Sequence, residues 1–462
     1  MNFLNHINLL VTLLLWRTLN ANFLKFPFGN TFKISSREII KHIPYHLVPN
    51  EKKVIDKING FYGLIGPDVN ITEIGSLYDL FTGDGMIQGL FLNNGNLTFV
   101  KQFVKTEKIL YEESNGRIPK NPIMQFFFML LNKLGVFPNT MGMANTALLY
   151  LHNYVYALFE RDVPYQLTID FDNSLINTIK KINIPKIPHF SGHSKYNGSV
   201  IETIDYNIIA KRVSYYQLNE NFEYINHYHI PTRYIPIIHD FYTDSEKALI
   251  IDSPLMINFE NLFLQKIPIL FNKNQQTLVH VLNKRNGIID KYYIENGIYI
   301  FHYAKVRETE NYIEIYGSLY DNLNFEKTDI FGNYRKIVLD KRSKIGKIEA
   351  NIETDYYNLD FPISIDENRV VLRSIKDNKI EGFLVLDGLR IIKKIIYNEL
   401  FICGEPAITK IDGVPYLLCM AFDKNQSHFV VINMNTYDEI NIPLPVNLSI
   451  GFHSLYIDRY TT

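Results

Sequence analysis

The sequence predicts an all-β protein, and three observations carry that expectation. Short runs of alternating apolar and polar residues, parted by Asp-, Asn- and Gly-rich joints, recur from about residue 50 to the C-terminus. Tyr and Phe number 31 each against a single Trp, and aromatics at 14% suit a half-buried pleated surface or the wall of an apolar tunnel. No Gly-, Ser- or Pro-rich linker divides the chain, and no alternation of strands with helices suggests βαβ units. A sandwich array, a barrel and a propeller all satisfy this pattern, because no repeat of roughly 40–50 residues stands out.

The chain opens on Ile7 to Trp16 (INLLVTLLLW), an apolar run too short to span a bilayer comfortably. Residues 1–25 read as a signal or anchoring segment, and 26–462 as a single domain. Asn93-Asn94-Gly95-Asn96 separates GLFL from LTFVKQFV and predicts a hairpin. The stretch from Ile123 to Phe137 (IMQFFFMLLNKLGVF) lacks strand alternation and reads as a helix ended by Pro138. It is either a core helix or a greasy lid that dips into a membrane. Strand-like runs then return: TLVHVL, IYIFHYAKV, YIEIYGSLY, RVVLRSI, GFLVLDG, PYLLCMAF and HFVVINM.

Several function classes are excluded at once. A net charge of -1 with scattered basic residues gives no footprint for nucleic acid. Cys403 and Cys419 are too few for a disulfide framework, a zinc ribbon or an iron–sulfur cluster. Thr82-Gly-Asp-Gly85 has neither phosphate-loop spacing, and no Gly-x-Ser-x-Gly elbow occurs.

Thirteen histidines are the most informative polar set left. Singly, each reads as a hydrogen-bonded core residue. His189 and His193 are four apart, but Pro188 and Gly192 disfavour the helix that would align them. His227 and His229 share one strand face without a third ligand nearby. Flanking residues say more. His193 lies beside a turn in Ser191-Gly-His193-Ser-Lys195, and His239 heads a stretch running into ALIIDSPL. His302 is embedded in an aromatic strand, and Gly451-Phe-His453 ends the last one.

With these flanks the chain resembles the carotenoid cleavage oxygenase family, which includes the retinoid isomerohydrolase of the visual cycle. The resemblance runs in the family's order from about residue 40 to the end. Gly63-Leu-Ile-Gly66-Pro67 comes first, then Gly83-Asp-Gly-Met86 with Phe103-Val-Lys-Thr-Glu-Lys108. Ala144-Asn-Thr-Ala147 follows with Ala157-Leu-Phe-Glu160 and Pro164-Tyr165. His239-Asp-Phe241 with Asp252-Ser-Pro-Leu255, Gly404-Glu-Pro406 and Gly451-Phe-His453 complete the series.

This resemblance implies a seven-bladed β-propeller with a small helical or loop lid over its iron-bearing axial face. It implies one Fe(II) per chain, held by His193, His239, His302 and His453. Their separations of 46, 63 and 151 residues suit ligands supplied by different blades. It also implies that Glu160, Asp360 and Glu405 stand behind the ligands and fix their tautomers. The expected reaction is oxidative cleavage of a carotenoid or apocarotenoid double bond by dioxygen to carbonyl products. Retinoid isomerisation or ester cleavage, stilbenoid cleavage and non-catalytic lipid binding remain open beside it. The expected location is cytoplasmic with peripheral membrane contact through Ile123 to Phe137, or the secretory pathway if Ile7 to Trp16 is a signal-peptide core.

Departures from the family are specific. Asn358-Leu-Asp360-Phe-Pro362 stands where Glu-Phe-Pro is usual, and the shorter acid should fall about 1.5 Å short unless the backbone moves or water bridges. Thr82 and Gln88 replace the usual Asp and His, and Ser194 replaces the Pro of a common His-Pro pair. After His302, only the acid of the usual motif survives, as Glu308.

Overall fold

The turn expected at Asn93 to Asn96 forms with Asn94 at φ 47° and Gly95 at φ 80°. Positive φ at both central positions is what a tight hairpin of right-twisted strands requires. It joins strands Asp84–Asn93 and Asn96–Phe103, with Asn93 opposite Asn96. The protein is seen as a computed structural model that describes residues 39–461, apart from 70–75, 119–123, 125, 126, 129, 130, 133, 135, 136, 140, 141, 259, 262–266, 329 and 378. The segment from Ile7 to Trp16 lies outside the described residues.

Repetition of such antiparallel units builds the molecule. Blade 1 comprises the strands of 39–103 and, innermost, His453–Asp458, which pairs with Gly60–Asp68 and so joins the chain's end to its beginning. Blades 2 to 6 span 147–181, 195–231, 242–294, 299–349 and 358–396. Blade 7 spans 401–444. Blades 4 and 5 are also joined by a short parallel pairing, Tyr293 opposite Ile345. Each blade except the first begins at its innermost strand and runs outward.

Hydrophobic clusters lie between blades and close the ring. Val155 and Leu167 of blade 2 meet Phe61 and Phe91 of blade 1. Ile201 meets Leu158, Phe241 meets Tyr215, and Ile300 meets Leu249 at the next three joints. Leu372 packs with Tyr334, and Cys419 with Val385. Leu64 and Phe99 pack against Leu418 and Phe429 to join blade 7 to blade 1. Among the described residues this makes seven interfaces for seven blades, the architecture implied by the resemblance. Both faces of a middle strand are therefore apolar, which explains the near-continuous runs in LLCMAF and HFVVIN.

Helix Glu107–Asn115 starts where the Thr106 hydroxyl accepts from the Ile109 N–H at 3.2 Å. Much of 123–137 lies outside the described residues. Of the rest, Phe128 is buried against Phe137, and Leu134 is exposed. Among the described residues no helix is long and apolar enough to cross a membrane.

Candidate metal centre

Four histidines arrive at the ring's axis from four blades. His193 and His239 sit in the turns that lead into the innermost strands Lys195–Tyr196 and Tyr242–Thr243. His302 lies within the innermost strand Tyr299–Glu308. His453 opens the last strand rather than ending it. Close backbone packing fixes that last position. A Cβ on Gly66 would lie 2.4 Å from the Cα of Gly451, so the early and late glycine motifs are two sides of one contact. Phe452 N–H donates to the Ile65 carbonyl at 2.7 Å, and Glu405 N–H to the Phe452 carbonyl at 2.9 Å.

One ligating atom from each of the four rings falls within 4.8 Å of the others. The Nε2 atoms of His193 and His239 are 3.0 Å apart, and those of His302 and His453 are 3.2 Å apart. Three of the four rings donate their other N–H to a carboxylate. His239 Nδ1 is 2.7 Å from Glu160, His302 Nδ1 2.9 Å from Asp360, and His453 Nδ1 3.0 Å from Glu405. In the neutral tautomer each of those Nε2 atoms then carries a lone pair aimed at the centre. Facing lone pairs repel unless a cation lies between them. Two ligands at right angles, each about 2.1 Å from a metal ion, stand about 3.0 Å apart, so the spacing fits one ion. An all-imidazole donor set suits a late first-row dication such as Fe(II).

Electrostatics favour the neutral, ligating form at His193 and His453. Burial, reinforced by the other three histidines, holds the His193 imidazole well below its usual range and so neutral. Burial also lowers His453, against the pull of Glu405. For His239 burial works downward, but the Glu160 carboxylate outweighs it and the net shift is up. Burial opposes ionisation of Glu160 and Asp360, yet their histidine partners hold both carboxyls below the usual range.

Asp360 does not fall short. It meets His302 directly, and the reason is in the backbone. The pairing of strand Asn358–Ser364 shifts register between Asp360 and Ile363, and Phe361 sits at φ 57°. A left-handed phenylalanine is costly and persists only where surroundings enforce it. The bulge carries the shorter side chain to the ring. Phe361 N–H also donates to Asp360 Oδ1 at 2.8 Å, and Tyr320 O–H donates to Oδ2 at 2.6 Å. Removing that hydroxyl in Tyr320→Phe is expected to weaken metal retention about tenfold with the fold intact. Metal release to a chelator measures it, and an unchanged release rate would exclude Tyr320 from the assembly.

Other residues that the histidine pattern did not announce also order the site. Asp240, next to His239, accepts from Lys195 Nζ at 2.7 Å and from Tyr303 N–H at 3.2 Å, tying three ligand-bearing blades together. The Gln88 side chain bonds the backbone of Ser449, steadying the loop that leads to His453. Ser194 bonds Ser191 and Thr203 within its own blade. Glu308 is taken up by Lys247 and Lys341 at the far end of its strand. Among the described residues neither His189 nor the His227–His229 pair gathers a set of metal ligands.

A cavity of about 460 Å³ opens over the centre, within the range of small-ligand sites. Phe81, Phe301, Phe361, Phe452, Ile238 and Leu80 contribute to its wall, and His239, His302 and His453 to its lining near the centre.

Fold and site together define a class: a seven-bladed propeller with a four-histidine metal centre on its axis, under an apolar chamber. The retinal pigment epithelial membrane protein family model matches residues 54–382, and the chain belongs to that family, the carotenoid cleavage oxygenases, whose members depend on non-haem iron. Carotenoid 9,10(9',10')-cleavage dioxygenase 1 of Arabidopsis thaliana is 26% identical, over 90% of this chain and 87% of the relative. A variant of Synechocystis apocarotenoid oxygenase superposes with a TM-score of 0.72 at 15% identity, covering 93% of this chain and all of the other. Pseudomonas brassicacearum lignostilbene dioxygenase gives 0.73 at 14% identity, covering 94% and 98%.

Proposed function

We propose that this chain is an Fe(II)-dependent dioxygenase that cleaves a carbon–carbon double bond of a carotenoid or apocarotenoid to two carbonyl products. The observation that carries the reading is the convergence of four imidazole nitrogens at the base of an apolar chamber. His193, His239, His302 and His453 would hold one ferrous ion per chain, leaving up to two octahedral positions free. When bound, that ion supplies the redox capacity for reaction with dioxygen.

The chain's own residues do the rest. Glu160, Asp360 and Glu405 keep a proton on each partner's Nδ1, so that Nε2 stays free to ligate. Phe81, Phe301, Phe361 and Phe452 present a wall suited to a polyene, orient it by packing and exclude water. The direct Asp360–His302 contact speaks against a damaged, merely lipid-binding site. The relatives named for carotenoid cleavage support the choice of substrate class.

Purified iron-loaded protein, given an apocarotenal in detergent, is expected to consume oxygen and release aldehyde. A geometric change of the polyene without oxygen uptake would replace cleavage with isomerisation. Less than one iron per chain and no product would reject the reading.

A further inference from the structure

Among the described residues, and apart from the carboxylates of the metal centre, two charged side chains line the chamber, Arg161 and Arg373, and only Arg373 is buried. Arg373 lies on strand Arg369–Lys376, directly opposite Asp360, and is 7% exposed. It lines the cavity. Its Nε is buried without a hydrogen-bond partner, and none of the described residues forms an ion pair with the guanidinium. The group is held by stacking instead: its Cζ sits 3.4 Å above the Phe361 ring. That ring lies 4.4 Å from the His302 ring and 4.7 Å from the His453 ring. The guanidinium is therefore one aromatic layer away from two of the metal-binding imidazoles.

The neighbouring carboxylates do not answer its donors. Asp360 spends its oxygens on His302, Phe361 N–H and Tyr320, and Glu405 Oε2 accepts from His453 and Ser454 N–H. They act on Arg373 through space alone. Burial pulls it down to about 10, still cationic at neutral pH. A buried cation whose N–H groups lack acceptors is costly, so an acceptor from the chamber side has a large opportunity. Stacking leaves the in-plane donors of a guanidinium free to meet one.

We propose that Arg373 is a specificity determinant that receives an oxygen of the substrate. The chamber would thus favour an oxygenated polyene (an alcohol, aldehyde or ketone) over the hydrocarbon of the same skeleton. A neutral oxygen fits better than a carboxylate. One dication with neutral ligands and the Arg373 guanidinium already balance the three carboxylates, and a fourth would leave the buried site with a net negative charge. Ile375 and Ile380, beside Arg373 in the wall, suit the apolar carbons that flank such an oxygen.

This assignment rests on the polyene reading of the same site, and the test separates the two. All-trans-retinol and axerophthene, which lacks only the hydroxyl oxygen, are titrated by fluorescence into iron-loaded wild type, Arg373→Met and Arg373→Lys. Wild type is expected to bind retinol at least about tenfold more tightly than axerophthene. Arg373→Met should lose that preference by weakening retinol alone, with axerophthene within about twofold and iron content unchanged; Arg373→Lys should retain part of it. No preference in wild type, or equal weakening of both ligands with loss of iron in Arg373→Met, would overturn the assignment and leave a buried countercharge. Binding is read without turnover, so it stands apart from aldehyde formation. Aldehyde formed by a wild type that fails this binding test removes only the role of Arg373.

Discussion

His302→Ala is expected to emerge folded, with far less than one iron per chain and oxygen uptake at background. His302 is the one ligand held inside a strand, at an irregularity in its pairing. The register of Tyr299–Glu308 against Tyr312–Tyr320 shifts between Ile300 and Tyr303, and the flanking pairs, Ile300 with Leu319 and Tyr303 with Gly317, survive truncation. The chemistry does not survive. Alanine removes one of four donors and leaves Asp360 buried without the imidazole it serves. Altering a group behind a ligand costs on the order of 10–100-fold in affinity, and losing the ligand itself should exceed the upper end. A ligand that binds only the folded state also raises stability, so chelation should lower the melting temperature of wild type and leave His302→Ala unmoved. Iron analysis, oxygen uptake and melting with and without chelator give three independent readings. A variant that keeps one iron per chain would mean that His302 is not a ligand.

The strand pattern and all four histidines could be read from the chain, because each depends on local signals: alternation, turn residues and the flanks of each His. What escaped depends on how blades pack. A middle blade strand is covered on both faces, so alternation in RVVLRSI gives no sign that Arg373 points into a chamber. Which of the alternatives brings Asp360 to its partner, a moved backbone or a bridging water, is hidden for a related reason. Side-chain length is visible in a sequence, but the bulge at Phe361 that offsets it is not. Asp240 sits in a quoted motif, yet its bonds to Lys195 and Tyr303 come from neighbouring blades. The Asp84 and Lys108 motifs were likewise legible as residues, but not as one ion cluster.

That cluster predicts the largest effect on stability. Lys108 Nζ is 2.6 Å from Asp84 and 3.1 Å from Glu112, and its side chain is only 6% exposed. It clamps helix Glu107–Asn115 to the start of strand Asp84–Asn93, just after Gly83, whose carbonyl accepts from Asn145 at 2.7 Å. The next residue, Thr146, contacts Glu160 behind His239. Lys108→Met preserves most of the volume but leaves two carboxylates facing each other, one with an oxygen already unpartnered. The expected loss is about 3–5 kcal/mol, because a buried ion cluster stripped of one sign strands the other. Burial already raises Glu112, and Lys108 partly offsets it, so the variant raises Glu112 further. A carboxyl raised in the folded state favours folding below its unfolded value, and that contribution is lost as pH rises through the raised one. The deficit relative to wild type should therefore be smaller near pH 4 and larger near about pH 8. Adding Asp84→Asn and Glu112→Gln to Lys108→Met should recover most of the stability, since a fully neutral cluster buries no stranded charge. Denaturant unfolding across pH measures both effects, and a deficit independent of pH would assign the loss to packing rather than to charge.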